Sequence, residues 1–397
     1  MEEWKEYKLG EVVIPVKDRI ETSCLDSTSY ISTENMLPDK AGVTLSSGVP
    51  SGNAVMFKNN DILISNIRPY FKKIWRANRD GGCSADVICL RASNAVDPLF
   101  LYYLLSQDLF FDYVMQGAKG TKMPRGDRNQ IMQWPVLIPS KNEQHIIASI
   151  LSALDDKIEV NRRINDNLEQ QAQALFKSWF VDFEPFRDQP FVESELGMIP
   201  EGWRVGTLGD YVETTSGGTP SRKIKNYYEG GNICWVKSKE LANGFITETE
   251  EQISDIAVKQ SAAKVLPKHS VLIAMYGATV GEYGIISQPM TCNQAICALL
   301  PNNKVPYSIL YMLAKNNKEN LQSKAIGSAQ QNVSQAIIKR LKIKYNTEVF
   351  CDFNCIIEPM LKRIEATTIE SRRLAQLRDT LLPRLMSGEI KVGDVTL

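Results

Sequence analysis

The sequence predicts an α+β chain in which two similar domains, each a mixed and mainly β sheet with helices, are separated by two long helices. Three observations predict it. The chain repeats itself with a period near 200 residues, each repeat groups short strand-like runs, and each ends in a heptad seam. The expected boundaries are a first domain over 1–141, a long helix within 142–184, a second domain over 185–346, and a second long helix and tail over 347–397.

The repeat is carried by pattern, since residue identity is low. Trp4 opens "WKEYKLGEVV" and Trp203 opens "WRVGTLGDYV". Residues 61–90 lie over 270–299 at a shift of 209 without a gap, so that Cys83 meets Cys292 and Leu90 meets Leu299. Residues 129–138 lie over 336–345 at a shift of 207, and the helices that follow match at 206. A solenoid unit is only ~20–50 residues long. The period therefore means two copies of a domain, and two copies of a domain usually do one thing at two places.

Composition bounds the class. The 397 residues are 43% hydrophobic and 23% charged, as in an ordinary globular protein. "MEEWKEYKLG" has no apolar signal region, and no run approaches the ~18 apolar residues needed to span a bilayer, so a cytoplasmic protein is expected. The eight cysteines include no Cys-x-x-Cys pair, and the two histidines, His145 and His269, are far apart. That pattern argues against a tetrahedral zinc site and for reduced, mostly buried thiols.

Within each repeat, runs such as "AVMFK", "DILIS", "VLIAMYG" and "AICALL" read as strands punctuated by Gly, Pro and Asn. "PLFLYYLLSQDLFFDYVM" and "YSILYMLAKNNKENLQS" read as helices covering a sheet. The first long helix carries Ile147, Leu151, Leu154, Ile158, Asn161, Asn165, Leu168, Ala172, Leu175 and Trp179 at alternating steps of four and three. Adding 206 gives Phe353, Ile357, Met360, Ile364, Thr367, Ser371, Leu374, Arg378, Leu381 and Leu385. These are coiled-coil seams of one phase. They share a polar interruption, Asn161/Asn165 in one and Thr367/Ser371 in the other, and polar seam residues fix register at some expense of stability. Fully overlapped, the two polar layers coincide. Some 33 residues at ~1.5 Å rise make a rod of ~50 Å, the length of a spacer.

Net charge does not argue for nucleic acid, since Lys+Arg and Asp+Glu are 46 each and the pI is about 6.8. Clustering does. Arg68, Lys72, Lys73, Arg76 and Arg79 fall in an acid-free stretch interleaved with Tyr70, Phe71 and Trp75. Lys119, Lys122, Arg125 and Arg128 fall on a Gly-rich segment, Arg222, Lys223 and Lys225 follow "SGGTPS", and Lys237 and Lys239 follow a tryptophan. One such cluster is as often a solvated face. Clusters in loops of both repeats favour phosphate contacts.

Nothing assembles chemistry. "GAKGTK" and "GATVGEYG" have the wrong spacing for a phosphate loop. No Gly-rich turn suits S-adenosylmethionine, and no Asn/Asp-Pro-Pro-aromatic motif is present. Two distant histidines disfavour a Ser/His/Asp arrangement. The adjacent Asp155 and Asp156 on the long helix read as a solvated face. No catalytic residue, metal or cofactor is expected.

Over essentially its whole length the chain resembles the specificity (S) subunit of type I restriction-modification systems. The likeness lies in the two domain openings and in "YGATVGEYGI". It also lies in "NEQHIIASILSALDDKIEVNRRINDNLEQQAQALFKSWF" and "RRLAQLRDTLLPRLMSGEI". The resemblance implies two target-recognition domains, each reading half of a bipartite duplex DNA site. It implies an antiparallel coiled coil that separates them and docks two methyltransferase (M) subunits, with two restriction (R) subunits completing the complex. It implies that S-adenosylmethionine belongs to M, and ATP and magnesium to R. The entry to the second helix, "YNTEVF", departs from the family pattern by lacking the proline and glutamine of "IPSKNEQ".

The candidate DNA-binding residues are then Arg68, Lys72, Lys73, Arg76, Lys119, Lys122, Arg125 and Arg128 in the first domain. In the second they are Thr219, Ser221, Arg222, Lys223, Lys237, Tyr276, Thr279, Gln330, Gln331 and Asn332. "GTKMPRGDRN" faces "GSAQQNVSQA" across the repeat, so the two half-sites should differ. A stand-alone bipartite DNA binder and a non-DNA coiled-coil scaffold are the alternatives. An adjacent methyltransferase partner, or salt-dependent DNA binding, would separate them.

Overall fold

The computed structural model describes residues 4–242, 244–325 and 332–391. They form two compact units, one of residues 1–158 with 373–397 and one of residues 159–372. The two long helices, Lys141–Phe180 and Thr347–Met386, each contribute to both units.

In the first unit, Val13–Pro15, Val87–Ala92, Ile62–Ser65 and Ile74–Arg76 make a four-stranded antiparallel sheet in that order. Arg19–Glu21, Asn53–Phe57, Gly81–Cys83 and Tyr30–Ile31 make a second, whose last pair is parallel. Ile62–Ser65 is buried along its whole length, which is why it reads as an unbroken apolar run. Helix Pro98–Leu105 covers it. Asp97 caps that helix by accepting the N–H groups of Leu99 and Phe100, and Pro98 fills the first turn, where no N–H is needed. Phe100, Leu101 and Leu104 then enter one core with Ile147 and Leu151 of the first long helix and Leu382 and Leu385 of the second. Each such buried side chain contributes about 1.5–3 kcal/mol.

The second unit repeats this plan in the same register. Ile62 pairs with Leu90 in the first unit, and Val271 pairs with Leu299 in the second, both members displaced by 209. The parallel pairing of Ile31 with Cys83 returns as Val236 with Cys292. The pairing of Phe57 with Gly81 returns as a bridge from Leu266 to Met290. The second unit adds Gly244–Ile246, parallel to Tyr283–Ile286, and a hairpin of Phe191–Ser194 with Gly197–Pro200.

The helices pair antiparallel within each unit. In the first, Asp155 meets Arg378; in the second, Asn165 meets Thr367 and Phe176 meets Phe353. All twenty seam positions are buried or half-buried. The two polar layers coincide as the seam predicts. Asn161 Nδ2 donates to Glu370 Oε2 at 2.7 Å and Ser371 Oγ at 3.2 Å, and Thr367 donates to Asn165 Oδ1. The second helix begins at Thr347 despite its altered entry sequence. Asn346 accepts the N–H groups of Glu348 and Val349, doing the capping itself.

Candidate nucleic-acid interface

The strand Ile62–Ser65 ends in a tight turn. Arg68, in left-handed backbone, precedes the short 3-10 turn Pro69–Phe71, and Lys72 leaves it left-handed again. This turn joins the 117–128 loop through main-chain bonds. Arg68 N–H donates to the Pro124 carbonyl at 2.7 Å, Gly126 N–H to the Asn66 carbonyl at 3.2 Å, and Ile67 bridges Arg125. The two basic clusters of the first half, about 50 residues apart in sequence, are thus one surface.

The second unit builds the same joint. Tyr276 bridges Asn332, and Val333 N–H donates to the Met275 carbonyl at 2.8 Å. Shifts of 209 and 207 carry the Ile67–Arg125 bridge and the Gly126-to-Asn66 bond onto these two. The segment after Cys292 gathers the remaining loops. Gly218 N–H donates to the Cys292 carbonyl, Asn293 N–H to Val236, and Met275 N–H to Ala295, each at 2.8–2.9 Å. Thr219, Ser221, Lys237, Tyr276 and Asn332 therefore hang from one framework. Gly217 permits the approach, because a Cβ there would stand 2.0 Å from the Cys292 carbonyl oxygen.

The side chains differ in how free they are. Lys72 is held by Asp108 at 2.9 Å, which also takes Lys40 at 3.1 Å. Lys73 donates to the Thr33 carbonyl at 2.7 Å, and burial pushes its ammonium below the ordinary value. Arg76 donates to Asn60 at 3.1 Å. Lys119 is paired with Asp127 at 3.0 Å, yet remains exposed. Arg125 reaches Asp86 at 3.3 Å and Arg128 the Ala85 carbonyl at 2.6 Å, both from exposed positions. Lys122 is exposed. In the second unit Arg222 lies 4.3 Å over the Tyr228 ring and pairs with Glu251 at 2.5 Å. Lys237 is mostly buried on Glu251, whose hydrogen bond raises its pKa. Thr219, Ser221, Lys223, Tyr276 and Asn332 are exposed, and half-buried Thr279 donates to the Tyr276 carbonyl at 3.1 Å. Gln330 and Gln331 lie outside the described residues. Sequence reasoning missed Asp86, Asp108 and Glu251, because acids distant in sequence do not register in a local charge count.

Among the described residues no cluster of His, Cys, Asp or Glu suits a metal ion, and no helix is long and apolar enough to cross a membrane. The family model described as the type I restriction modification DNA specificity domain matches residues 1–170 and again 200–345. The chain belongs to that family. A type I specificity subunit recognises DNA and is not the catalytic member of its system. The chain is 27% identical to the type I restriction enzyme HindI specificity subunit of Haemophilus influenzae, over 98% of this chain and 100% of that one. It is 30% identical to the MjaIX specificity subunit of Methanocaldococcus jannaschii, over 75% of this chain and 70% of that one. The fold is shared with the type I restriction-modification S subunit from M. genitalium, at a TM-score of 0.59 and 19% identity over 96% of each chain. For a type I specificity subunit, the duplicated joint is the natural place to look for the two halves of recognition.

Proposed function

We propose that each unit of this specificity subunit reads one half of an asymmetric bipartite DNA site through its joined loop pair. In the first unit those loops are 66–73 and 117–128; in the second they are 275–280 and the segment reaching Asn332, with the 217–225 loop beside them. One observation carries this reading: identical main-chain bonds at equivalent positions present different exposed side chains. Same scaffold with different surface is what two related but unequal half-sites require. The exposed cations, Lys119, Lys122, Arg125, Arg128 and Lys223, supply phosphate contacts, and the polar side chains supply base contacts.

The helix pair sets the spacing between half-sites and docks two M subunits, with two R subunits completing a cytoplasmic complex. An antiparallel pair of like helices offers two like partners equivalent surfaces. The test is to assemble the chain with its methyltransferase subunit and titrate duplex DNA at several salt concentrations. Tight binding with a steep salt dependence, and methylation of a split sequence, are expected. Salt-insensitive binding would return the scaffold alternative, and salt-dependent DNA binding by a chain that associates with no methyltransferase the stand-alone one.

A further inference from the structure

The second repeat has glycine where the first has arginine. Gly277 has φ +70°, and Arg68, its counterpart at a shift of 209, has φ +50°. Gly281 at φ +81° and Lys72 at φ +49° stand in the same relation. The turn after the central strand thus requires left-handed backbone at two places in both units. Glycine adopts it freely, whereas a residue with a Cβ is strained there. Arg68 is opposed twice, because Pro69 behind it also favours extended backbone.

At Lys72 the compensation is visible in its ion pair with Asp108 at 2.9 Å. At Arg68 none is. Its guanidinium makes no hydrogen bond or ion pair among the described residues, and its Nε is buried without a partner. A buried, unpaired donor destabilises a fold, and its presence calls for an explanation. Meanwhile the Arg68 N–H is fixed to the Pro124 carbonyl at 2.7 Å, so the side chain starts from a rigid point in the joint. Its neighbours Arg125 and Arg128 both have partners inside the unit.

We infer that Arg68 is a specificity-determining residue of the first unit. A strained slot and a desolvated donor are kept because the planar fork reads a base edge, with guanine O6 and N7 the matching acceptors. This rests on the reading of the unit as a DNA-recognition module. In the second unit the slot is empty of side chain, and recognition passes to Tyr276 and Asn332 beside it.

Arg68→Gly copies the choice of the second repeat. In the complete complex it should unfold at the same temperature as the parent or higher. Genome-wide mapping of methylated sites should then show one position of one half-site relaxed, by on the order of tenfold or more against the competing base. The other half-site should be unchanged. Arg68→Lys keeps the charge but not the fork, and should relax the same position. A methylated sequence unchanged by Arg68→Gly would overturn the inference, and full discrimination in Arg68→Lys would overturn the reading of a base edge through the planar fork. Failure of the parent complex to bind DNA with salt dependence would instead sink the underlying reading of the two units.

Discussion

One oxygen of Asp155 accepts the Arg378 guanidinium at 2.6 Å. The other accepts the Tyr103 hydroxyl at 2.7 Å, so a single carboxylate ties both long helices to the helix that covers the first sheet. Arg378 occupies a seam position where an apolar residue is the rule. Burial opposes its charge, and the bonds to Asp155 and Asp379 outweigh that. Asp155→Ala should therefore destabilise the first unit by about 1–3 kcal/mol, because it takes the acceptor from the Tyr103 hydroxyl and leaves the half-buried guanidinium with Asp379 alone. Arg378→Leu should be milder, since it removes the charge and completes an apolar seam. Chemical denaturation of both variants checks the order; equal losses would mean the pair acts only through packing.

In the second unit the polar layer bonds across the helix pair at Asn165, whereas Asn161 Oδ1 is buried without a partner among the described residues. Thr367 donates to Asn165, and Asn165 Nδ2 donates to Thr368 Oγ1 at 3.3 Å. Asn165→Ala should cost about 1 kcal/mol by removing the bonds that cross the helix pair, while the two hydroxyls keep the Arg363 and Ile364 carbonyls of their own helix. Asn165→Leu with Thr367→Leu should recover most of that loss, because both partners of the bond go together. Denaturant midpoints of the two variants decide it; a double variant weaker than the single one would refute the account.

Lysines that look alike in the sequence should behave differently. Lys122→Ala should leave folding intact, weaken DNA binding by the assembled methyltransferase, and flatten the slope of log affinity against log salt by ~0.9. Lys73→Ala should instead lower thermal stability, since its ammonium holds the Thr33 carbonyl. The comparison is a salt titration beside a melting curve, and a salt slope unmoved by Lys122→Ala would place that side chain away from phosphate.

Glu365 makes the second unit sensitive to acid. Burial alone would raise its carboxyl, but bonds from His269 at 3.1 Å and Lys268 at 3.0 Å hold it below the ordinary 4.5. A depressed carboxyl contributes stability that is fully present above its unfolded value and is lost as pH falls through the folded one. The parent should thus lose stability relative to Glu365→Gln as pH drops below about 5. Unfolding free energies measured from pH 7 down to pH 3 should converge; parallel curves would show that the carboxylate contributes nothing to folding.

The helices were legible because a heptad is a local, periodic signal, and both seams lie buried where the spacing puts them. The repeat was legible for a related reason: a gapless shift of 209 preserved strand register as well as the apolar pattern. The site was less so. Charge clustering brought out Lys72 and Lys73 beside Lys122, but the partners that separate them in role, Asp108 and Thr33, lie 36 and 40 residues away. Asp155, read as solvated, is tied to an arginine 223 positions on. "NIRPYFKK" lies over "MYGATVGE" in the sequence itself, yet only backbone angles show that the arginine stands in a glycine slot.

The helix pair should act as a ruler. Each is 40 residues long, and a helix rises ~1.5 Å per residue against ~3.4 Å per base pair of DNA. The seam they share spans about 33 of those residues and is ~50 Å long, which places half-site centres on the order of 10–15 base pairs apart with an unread gap between them. Inserting one seven-residue heptad after Asn165, with a matching heptad before Thr367, preserves seam phase and the polar layer while lengthening the pair by ~10 Å. The permitted gap should grow by up to about three base pairs, and both half-sites should stay the same. An insertion in the first helix alone should also change the gap, but with a loss of stability, because Asn165 and Thr367 no longer meet. Methylated sites mapped in cells carrying each insertion give the answer. If the half-sites change while the gap holds, the helices are not the ruler and the loops alone set the site.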